Sequence, residues 1–484
     1  MPLLRVIRLL GLVLMVFAPG LLFPTAVSLL LDDGVHTVYE ETLLAALATG
    51  ALLYLAGRRE RGELQVRDGF LLVVLVWTLL PVYGALPLLR AVPGLSFTDA
   101  YFEAVSGLTA SGATVLSGLD RLPPSLNLWR GFMVWLGGMG VIVLAVAILP
   151  LLGAGGAQLF RAETPGPMKD TKLTPRIAET AKGLWLVYVG LTLLCALAYR
   201  GAGMDTVDAL MHAFTTMGLG GFSTHDASFA HWNSPRIEAV AIVFMLVAGV
   251  NFATHFLAFH RRSLGAYARD PEFRPYAAVL ALSVLGVAAY LWLYGEYADA
   301  ASALRYAAFN VVSIATTTGY ANTDFDRWPL FAPLWMLLLS CFASCSGSTG
   351  SGIKMIRARI LFAQTRREFL RIVHPRVFQP VKLGAQLAEN RVVFAVLAYL
   401  FLYSVSVIAG TLLLVATGLD LLSAFSAAVA SVNNLGPGLG AVGPARTYAD
   451  LGDFQTWVCT FLMLAGRLEL YTLFVVMTPA FWRK

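Results

Sequence analysis

The segment Phe102-Glu-Ala-Val-Ser-Gly-Leu-Thr-Ala-Ser-Gly112 decides the fold of this chain of 484 residues, because its pattern recurs. Later copies are Met211-His-Ala-Phe-Thr-Thr-Met-Gly-Leu-Gly-Gly221 and Phe309-Asn-Val-Val-Ser-Ile-Ala-Thr-Thr-Thr-Gly319. A fourth copy, 425–436, needs one extra residue, and Gly438 is a rival for its final glycine. Each copy lies on a short apolar segment that ends in residues rich in Gly, Thr or Ser. Segments of this length predict re-entrant helices rather than full membrane crossings.

Longer apolar runs lie on both sides of each copy, and about 20 apolar residues are enough to cross a bilayer as a helix. The ten candidate spans are 6–31, 41–57, 69–90, 129–153, 183–199, 237–259, 276–294, 332–363, 392–417 and 454–482. The short apolar segments between them are 99–110, 207–218, 302–316 and 421–434. Two crossings per copy return the chain to the same side. The copies are therefore parallel and can surround one axis normal to the membrane.

The predicted fold class is an all-α integral membrane protein with ten transmembrane helices and four re-entrant pore helices. Its pseudo-fourfold unit is helix, pore loop, helix. The predicted divisions are 1–66 for two N-terminal helices outside the repeat, 67–176 for repeat one, 177–272 for repeat two, 273–385 for repeat three with a gating loop, and 386–484 for repeat four.

Composition supports a membrane location, because 58% of the residues are hydrophobic and only 13% are charged. Soluble domains have about a quarter charged residues. The net charge is +6, but the basic residues lie between apolar runs, so nucleic-acid binding is not expected. With ten spans and both termini cytoplasmic, every basic loop falls on the cytoplasmic side. The sequence thus predicts a multi-pass membrane protein with both termini in the cytoplasm.

Non-helical backbone at membrane depth is tolerated only where it is buried in protein or lines a wet cavity. Four such loops around one axis would present carbonyl oxygens to a common centre, and rings of carbonyls can replace the water shell of a potassium ion. Hydroxyls of Thr109, Ser111, Thr316 and Thr318 could add contacts. The competing interpretation is that the glycines only permit close helix packing.

Several further motifs carry a family resemblance. They are Trp135-Leu-Gly-Gly-Met-Gly140, Thr216-Met-Gly-Leu-Gly-Gly-Phe-Ser-Thr-His225, Ser346-Gly-Ser-Thr-Gly-Ser-Gly-Ile-Lys354, Asn433-Asn-Leu-Gly-Pro-Gly438, Gly466-Arg-Leu-Glu-Leu470, and the stretches 161–167 and 169–176. Over nearly its whole length the chain resembles the Trk/Ktr/HKT superfamily of potassium transporters, most closely its bacterial TrkH branch. The resemblance implies a pseudo-fourfold pore with two extra N-terminal helices, usually in a homodimer.

The resemblance also implies a selectivity filter that binds potassium, the only metal expected. The candidate filter residues are Ala110, Ser111, Gly112, Leu219, Gly220, Gly221, Thr317, Thr318, Gly319, Asn434, Leu435 and Gly436. In related plant members, serine at the first filter glycine accompanies sodium transport. Gly112 at that position favours potassium.

A gate is expected where 346–352 interrupts the eighth candidate span with poor helix formers. The resemblance implies an intramembrane gating loop beneath the filter, and a harmless kink is the alternative. The candidate gate residues are Gly347, Ser348, Thr349, Gly350, Ser351, Gly352, Lys354 and Arg467. Arg467 lies in an apolar span, where a charge is costly. The resemblance places it near the inner pore, and pairing with a distant carboxylate is the alternative. Lys354 could instead be an interfacial anchor.

The leading functional prediction is potassium uptake through a channel-like pore. Proton- or sodium-coupled symport is the first alternative, although Glu103 and Glu469 are the main intramembrane carboxylates. A polytopic membrane enzyme is the alternative of another class, and no catalytic set supports it. His225 follows the second copy and is expected outside the cell, and no metal role is predicted for it because no carboxylate or cysteine is expected to join it.

The expected cargo is the potassium ion, with no organic cofactor. Besides membrane lipid and a second copy of the chain, the resemblance implies a separate soluble cytoplasmic subunit that binds nucleotides and controls the gate, similar to TrkA.

Overall fold

The structure is a computed structural model that describes residues 3–59, 65–140, 177–377, 379–383 and 386–483. Helices dominate these residues, and the strands among them form a two-stranded antiparallel sheet of Lys382–Leu383 and Gln386–Leu387. The predicted all-α membrane fold class is confirmed. The second half of the predicted span 129–153 and the basic stretch before Ile177 lie outside the described residues.

The helices follow one another in the order that the repeat predicts. Before the repeats come Leu3–Phe17, the 3₁₀ turn Ala18–Leu21, Leu22–Leu31 and His36–Ala56. Repeats one and two contain Val66–Ala91, Phe97–Leu108 and Pro124–Gly138, then Ile177–Ala202, Thr206–Gly218, Pro235–Ala248, Phe252–His260 and Gly265–Arg269. Repeats three and four contain Phe273–Tyr294, Ala300–Ala315, Phe331–Phe342 and Met355–Val373, then Asn390–Ala416, Leu421–Val432, Asp453–Arg467, Tyr471–Met477 and Pro479–Trp482.

Six of the described helices are long and apolar enough to cross a membrane, and two bent pairs raise the number to eight. The two bent pairs correct the sequence prediction. The predicted span 237–259 bends by 91° between Ala248 and Phe252, and the predicted span 454–482 bends by 113° between Arg467 and Tyr471. The predicted span 332–363 is likewise two helices separated by residues 343–354.

The two bends each have a local cause. Asn251 starts the helix after the first bend, where its side chain accepts a hydrogen bond from the Ala253 amide at 2.9 Å. At the second bend, Glu469 and Leu470 have φ values of 55° and 57°. Left-handed residues cannot continue a right-handed helix.

Short helices occupy all four predicted positions, and each begins at a polar cap. The side chains of Ser96, Asp205, Asp299 and Asp420 accept a hydrogen bond from a backbone amide three residues later. Such caps stabilise a helix start by about 1 kcal/mol. The short helices are thereby fixed at their entrances, before the glycine-rich segments begin.

The outer surface of the helix bundle is apolar. On Ile177–Ala202 and Phe273–Tyr294, Leu186 is 74% exposed and Leu293 is 80% exposed. Large exposed apolar side chains along spanning helices are expected to face lipid tails. Inside, small residues let helices approach closely. A Cβ built on Gly11 would lie only 2.5 Å from the Gly50 carbonyl oxygen, which explains the tight contact of Leu3–Phe17 with His36–Ala56.

Candidate functional site

The four segments that follow the short helices share the backbone conformation of their first residue and one backbone hydrogen bond. We call them filter segments one to four, after the role predicted from the sequence, at 110–112, 219–221, 317–319 and 434–436. The first residue of each is left-handed, with φ between 49° and 62°. The amide of each second residue donates to a carbonyl five residues earlier, in the short helix. These bonds are Ser111 to Ser106 (2.8 Å), Gly220 to Thr215 (3.0 Å), Thr318 to Ser313 (2.8 Å) and Leu435 to Ala430 (2.8 Å).

The third residue of each filter segment is a glycine, and the four glycines form a closed ring of contacts. A Cβ on Gly112 would overlap the amide nitrogen of Gly221, and one on Gly221 would lie 2.6 Å from the Thr318 carbonyl oxygen. A Cβ on Gly319 would overlap the Leu435 carbonyl oxygen, and one on Gly436 would lie 2.8 Å from the Ser111 carbonyl oxygen. Segment one therefore touches two, two touches three, three touches four, and four touches one.

The structure distinguishes the two candidate glycines of the fourth copy. Gly436 has a φ of 97° and takes its place in the ring. A Cβ on Gly438 would instead meet Val442 and Ser426, which belong to the same repeat. Gly436 is thus the structural equivalent of the other three ring glycines.

Hydroxyl and amide side chains beside the ring are bonded to protein groups. Thr109 and Ser111 share a hydrogen bond of 2.9 Å, and Thr316 and Thr318 share one of 2.8 Å. The Asn434 amide donates to the Ser111 hydroxyl at 2.9 Å. These side chains hold the filter segments in place, a role that the sequence prediction of added hydroxyl contacts did not include.

A buried ion pair supports segments one and two from behind. Glu103 and Arg130 lie 2.7 Å apart, and both side chains are fully buried. Arg130 also donates to the Ser223 carbonyl at 3.1 Å, just beyond segment two, while the Val115 amide donates to Glu103 at 3.0 Å. Removing one member of a buried pair leaves an uncompensated charge and costs about 3–5 kcal/mol. Sequence reasoning missed Arg130, although a lone arginine in an apolar helix is a recognisable signal.

Residues 343–354, which we call the break loop, pack directly against two filter segments. The Thr349 hydroxyl donates to the Met217 carbonyl at 3.0 Å, next to segment two. The Ser351 amide donates to the Thr317 hydroxyl at 3.1 Å, in segment three. A Cβ on Gly350 would lie 2.9 Å from the Thr316 carbonyl oxygen, so glycine is needed for this approach.

The ends of the break loop are tied to repeat two. One carboxylate oxygen of Glu272 accepts hydrogen bonds from the amides of Ser346 and Ile356, both at 2.9 Å. The Gly347 carbonyl accepts from the Phe252 amide at 3.0 Å, at the bend described above. The Cys345 amide donates to the Gly249 carbonyl at 3.1 Å. These links make the interruption an ordered loop instead of a simple kink.

Two cations contact the break loop from other directions. Arg467 donates to the carbonyls of Thr349 at 3.2 Å and Gly138 at 3.1 Å, and also to Gly137. Lys354 is buried and donates to the Gly350 carbonyl, so its position differs from that of an interfacial anchor. The neighbouring carboxylate of Glu469 lies 2.5 Å from Arg357.

A polar cluster lies beyond segment two. The sequence analysis predicted no metal role for His225 on the premise that no carboxylate joins it, and this premise is wrong. The His225 ring bonds Asp208 through Nε2 at 3.1 Å and Asp120 through Nδ1. Burial disfavours its charged form, but the bonds to Asp208 and Asp120 outweigh this and raise the pKa of His225. His231 stacks on the same ring, with centroids 3.5 Å apart. Asp120 is more than 100 residues away along the chain, so sequence adjacency could not reveal it.

The fold and site define a polytopic helical membrane protein in which four repeated segments meet in one ring. Known proteins share this design. The sequence model of TrkH, described as a cation transport protein, matches residues 36–484. The chain is 47% identical over 478 residues to the Trk system potassium uptake protein TrkH of Escherichia coli, covering 99% of each. It is 36% identical over 475 residues to the Trk system potassium uptake protein TrkG of the same species, covering 98% of this chain and 97% of TrkG.

A solved structure agrees with these relatives. The crystal structure of the potassium transporter TrkH from Vibrio parahaemolyticus matches with a TM-score of 0.90 and 44% identity, covering 100% of both chains. This chain therefore belongs to the TrkH family of cation transport proteins. The resemblance predicted from its motifs is confirmed, and the alternative of a membrane enzyme gives way to transport.

Proposed function

We propose that this protein carries potassium ions into the cell through a channel-like pore centred on the four filter segments. The observation that carries the proposal is the closed ring of Gly112, Gly221, Gly319 and Gly436. A ring of four equivalent backbones offers oxygens to an ion from all sides, as potassium filters do. The names of the relatives, which are potassium uptake proteins, support the same cargo.

The shared backbone conformation explains why the ring would select a cation. The amide of each middle residue donates back to its short helix and is therefore not available to a lumen, and the carbonyl oxygens of the segments are the proposed ligands. The C-terminal ends of the four short helices, which carry partial negative charge, precede these segments. The proposed potassium ligands are the three residues of each filter segment, and potassium is the transported cargo.

The break loop is the proposed gate. It contacts the end of the short helix before segment two through Thr349 and segment three through Ser351, so a movement of the loop would alter the passage. Arg467 and Lys354 hold its carbonyls and add positive charge beside it. A cation near the passage opposes the transit of potassium.

Passive uptake is favoured over symport by the state of the two main intramembrane carboxylates. Glu103 is paired with Arg130 and Glu469 with Arg357. A proton relay needs a carboxylate that is free to exchange protons, whereas each of these two carboxylates is engaged in an ion pair with an arginine. The membrane potential supplies about 2.3 kcal/mol per charge per 100 mV, which suffices to draw potassium inward.

The proposed setting follows from the sequence predictions. The protein would have ten spans and four re-entrant helices in the bacterial inner membrane, with both termini cytoplasmic. It would act as a homodimer with a separate soluble nucleotide-binding subunit, since "Trk system" in the names of relatives denotes a system of components. The helix Met355–Val373, which continues the break loop and is rich in arginine, is the proposed contact for that subunit.

The test is cation flux through purified full-length protein in liposomes. Rubidium, a tracer for potassium, should enter down an imposed potential and compete with potassium but only weakly with sodium. Flux should not depend on a pH gradient. Equal rubidium and sodium flux would contradict the filter assignment, strict coupling to protons would support symport, and an absence of flux would refute the proposed function.

A further inference from the structure

We propose that Asp120, His225 and His231 form a binding site for a divalent transition-metal ion of the zinc class, beyond filter segment two. One ligand atom from each side chain lies within 4.8 Å of the other two. Two imidazoles and a carboxylate are the donor set of many zinc sites with three protein ligands and a water molecule. This site is independent of the proposed potassium filter, which uses backbone oxygens.

The spacing is close to what a zinc ion needs. Bond lengths of about 2.0–2.1 Å place tetrahedral ligand atoms about 3.4 Å apart. Ligand atoms at the 4.8 Å limit must therefore draw together by about 1.4 Å on binding, whereas His225 Nδ1 and the Asp120 oxygen, which are in contact, must move apart. His231 is exposed and Asp120 has a side-chain exposure of 48%, so both can rotate towards an ion arriving from solution.

The surroundings orient His225 as a metal ligand. Its Nε2 lies 3.1 Å from a carboxylate oxygen of Asp208, which leaves Nδ1 on the side of Asp120. The other oxygen of Asp208 accepts from the Thr224 hydroxyl at 2.6 Å. Metal-binding histidines commonly donate their second nitrogen to a carboxylate in this way, and losing that partner weakens binding about 10–100-fold.

The backbone brings the two loops together before any ion binds. The Asp226 carboxylate accepts from the amides of Gly118 at 2.8 Å and Leu119 at 3.2 Å. Asp120 is thus held against the loop that carries His225. A preformed frame lowers the cost of assembling ligands from repeats one and two.

An ion pair alone explains less of this arrangement. A charged His225 between Asp120 and Asp208 would account for three of the side chains, but it gives no role to His231. The His231 ring lies parallel to that of His225, with 4° between the planes. Imidazole nitrogens bind zinc, copper and nickel well. Because the lone pair of an imidazole nitrogen lies in the ring plane, the exposed His231 side chain must turn out of this stack to share an ion with His225.

The experiment measures zinc binding to tag-free, full-length protein in detergent, by competition with a chromophoric chelator at pH 7.5. The wild type should bind a single zinc ion saturably at submillimolar concentration. His231→Ala should weaken binding at least about tenfold, since it removes one of three protein ligands. Asp208→Asn should weaken it by about 10–100-fold, through the orientation of His225.

The matched control is His36→Ala, which removes a histidine that precedes the first repeat and lies outside the cluster. It should leave zinc affinity unchanged. Zinc should also raise the melting temperature of the wild type but not of His231→Ala, because a ligand stabilises only the folded state that binds it. Unchanged affinity in His231→Ala, or no saturable binding by the wild type, would overturn the assignment. Binding is measured without transport, so failure of the proposed function would not affect this test.

Discussion

The filter segments and the helix breaks beneath them obey the fourfold repeat to different degrees. All four filter segments have the same left-handed first residue and the same bond back to the short helix. The breaks occur in corresponding spans of repeats two, three and four, but their sizes differ. They comprise 249–251, 343–354 and 468–470.

The difference reflects what each layer has to do. Under the proposed function the ring surrounds one ion and needs oxygens on every side, which fits the shared first residue and shared hydrogen bond of the four copies. The layer of breaks has no such requirement, and one repeat can enlarge its break into a loop. That loop touches segments two and three and is held by Arg467 of repeat four. Under the proposed function, the layer of breaks is suited to control of the passage, and the layer of filter segments to selection of the ion.

The largest expected effect comes from placing a side chain in the ring. Gly319→Ala adds a Cβ that overlaps the Leu435 carbonyl oxygen, at a residue whose φ is 89°. Backbone atoms cannot rotate away as a side chain can, so segments three and four must separate. Rubidium flux in liposomes should fall by about 100-fold or more, equivalent to about 2.7 kcal/mol in the barrier.

Gly418→Ala is the matched control for this prediction. Gly418 has a similar φ of 93°, but a Cβ there meets no atom within 4 Å. The substitution carries the cost of a left-handed alanine, about 1–2 kcal/mol, without a clash in the ring. Its flux per folded molecule should remain within about twofold of the wild type. A comparable loss of flux in both variants would mean that backbone strain, and not the ring contact, is responsible.

The short helices that precede the filter segments were predicted well, because their sequence pattern occurs four times in the chain. The segment 99–110 became the helix Phe97–Leu108, and 421–434 became Leu421–Val432. The helix breaks were only partly predicted. The Gly- and Ser-rich composition of 346–352 predicted one break, but the bend after Arg467 lies in an apolar run that gave no such signal. Hydropathy averages over such a run and does not register the left-handed φ of Glu469.

The sequence analysis also could not predict contacts between residues that are far apart along the chain. No metal role was predicted for His225 because no carboxylate was expected to join it, whereas Asp120 approaches it from the loop after segment one. Arg467 was predicted to be a charge near the inner pore, and this role stays a prediction. Its bonds to the carbonyls of Gly137 and Gly138 depend on where repeat one packs, which the pattern of a single chain does not specify.

The second prediction tests Arg467, the cation that bonds the break loop. Arg467→Gln keeps a long polar side chain but removes a positive charge beside the break loop. A like charge near the passage costs an ion about 1–2 kcal/mol at the effective dielectric of protein interiors, so rubidium flux should rise about tenfold. Flux is measured at equal amounts of folded protein, determined by size-exclusion chromatography.

Arg467→Lys separates charge from geometry. Lysine keeps the charge but cannot bond the carbonyls of Thr349 and Gly138 at once with the planar fork of arginine. We expect its flux to stay closer to the wild type than that of Arg467→Gln. Equal increases in both variants would assign the effect to lost hydrogen bonds, and a decrease in both would contradict the assignment of Arg467 as a barrier.

The smallest expected effect tests a single bond between the two layers. Thr349→Val is nearly isosteric and removes the hydrogen bond to the Met217 carbonyl at 3.0 Å. Such a bond contributes about 0.5–1.5 kcal/mol, so a loop that closes the passage should open more readily and flux should rise about threefold to tenfold. Thr411→Val, at a buried threonine bonded within its own helix at 2.8 Å, makes the same chemical change away from both layers and should leave flux unaltered. If Thr349→Val also left flux unaltered, the contact between break loop and segment two would be mere packing, and the control function would have to lie in the cations alone.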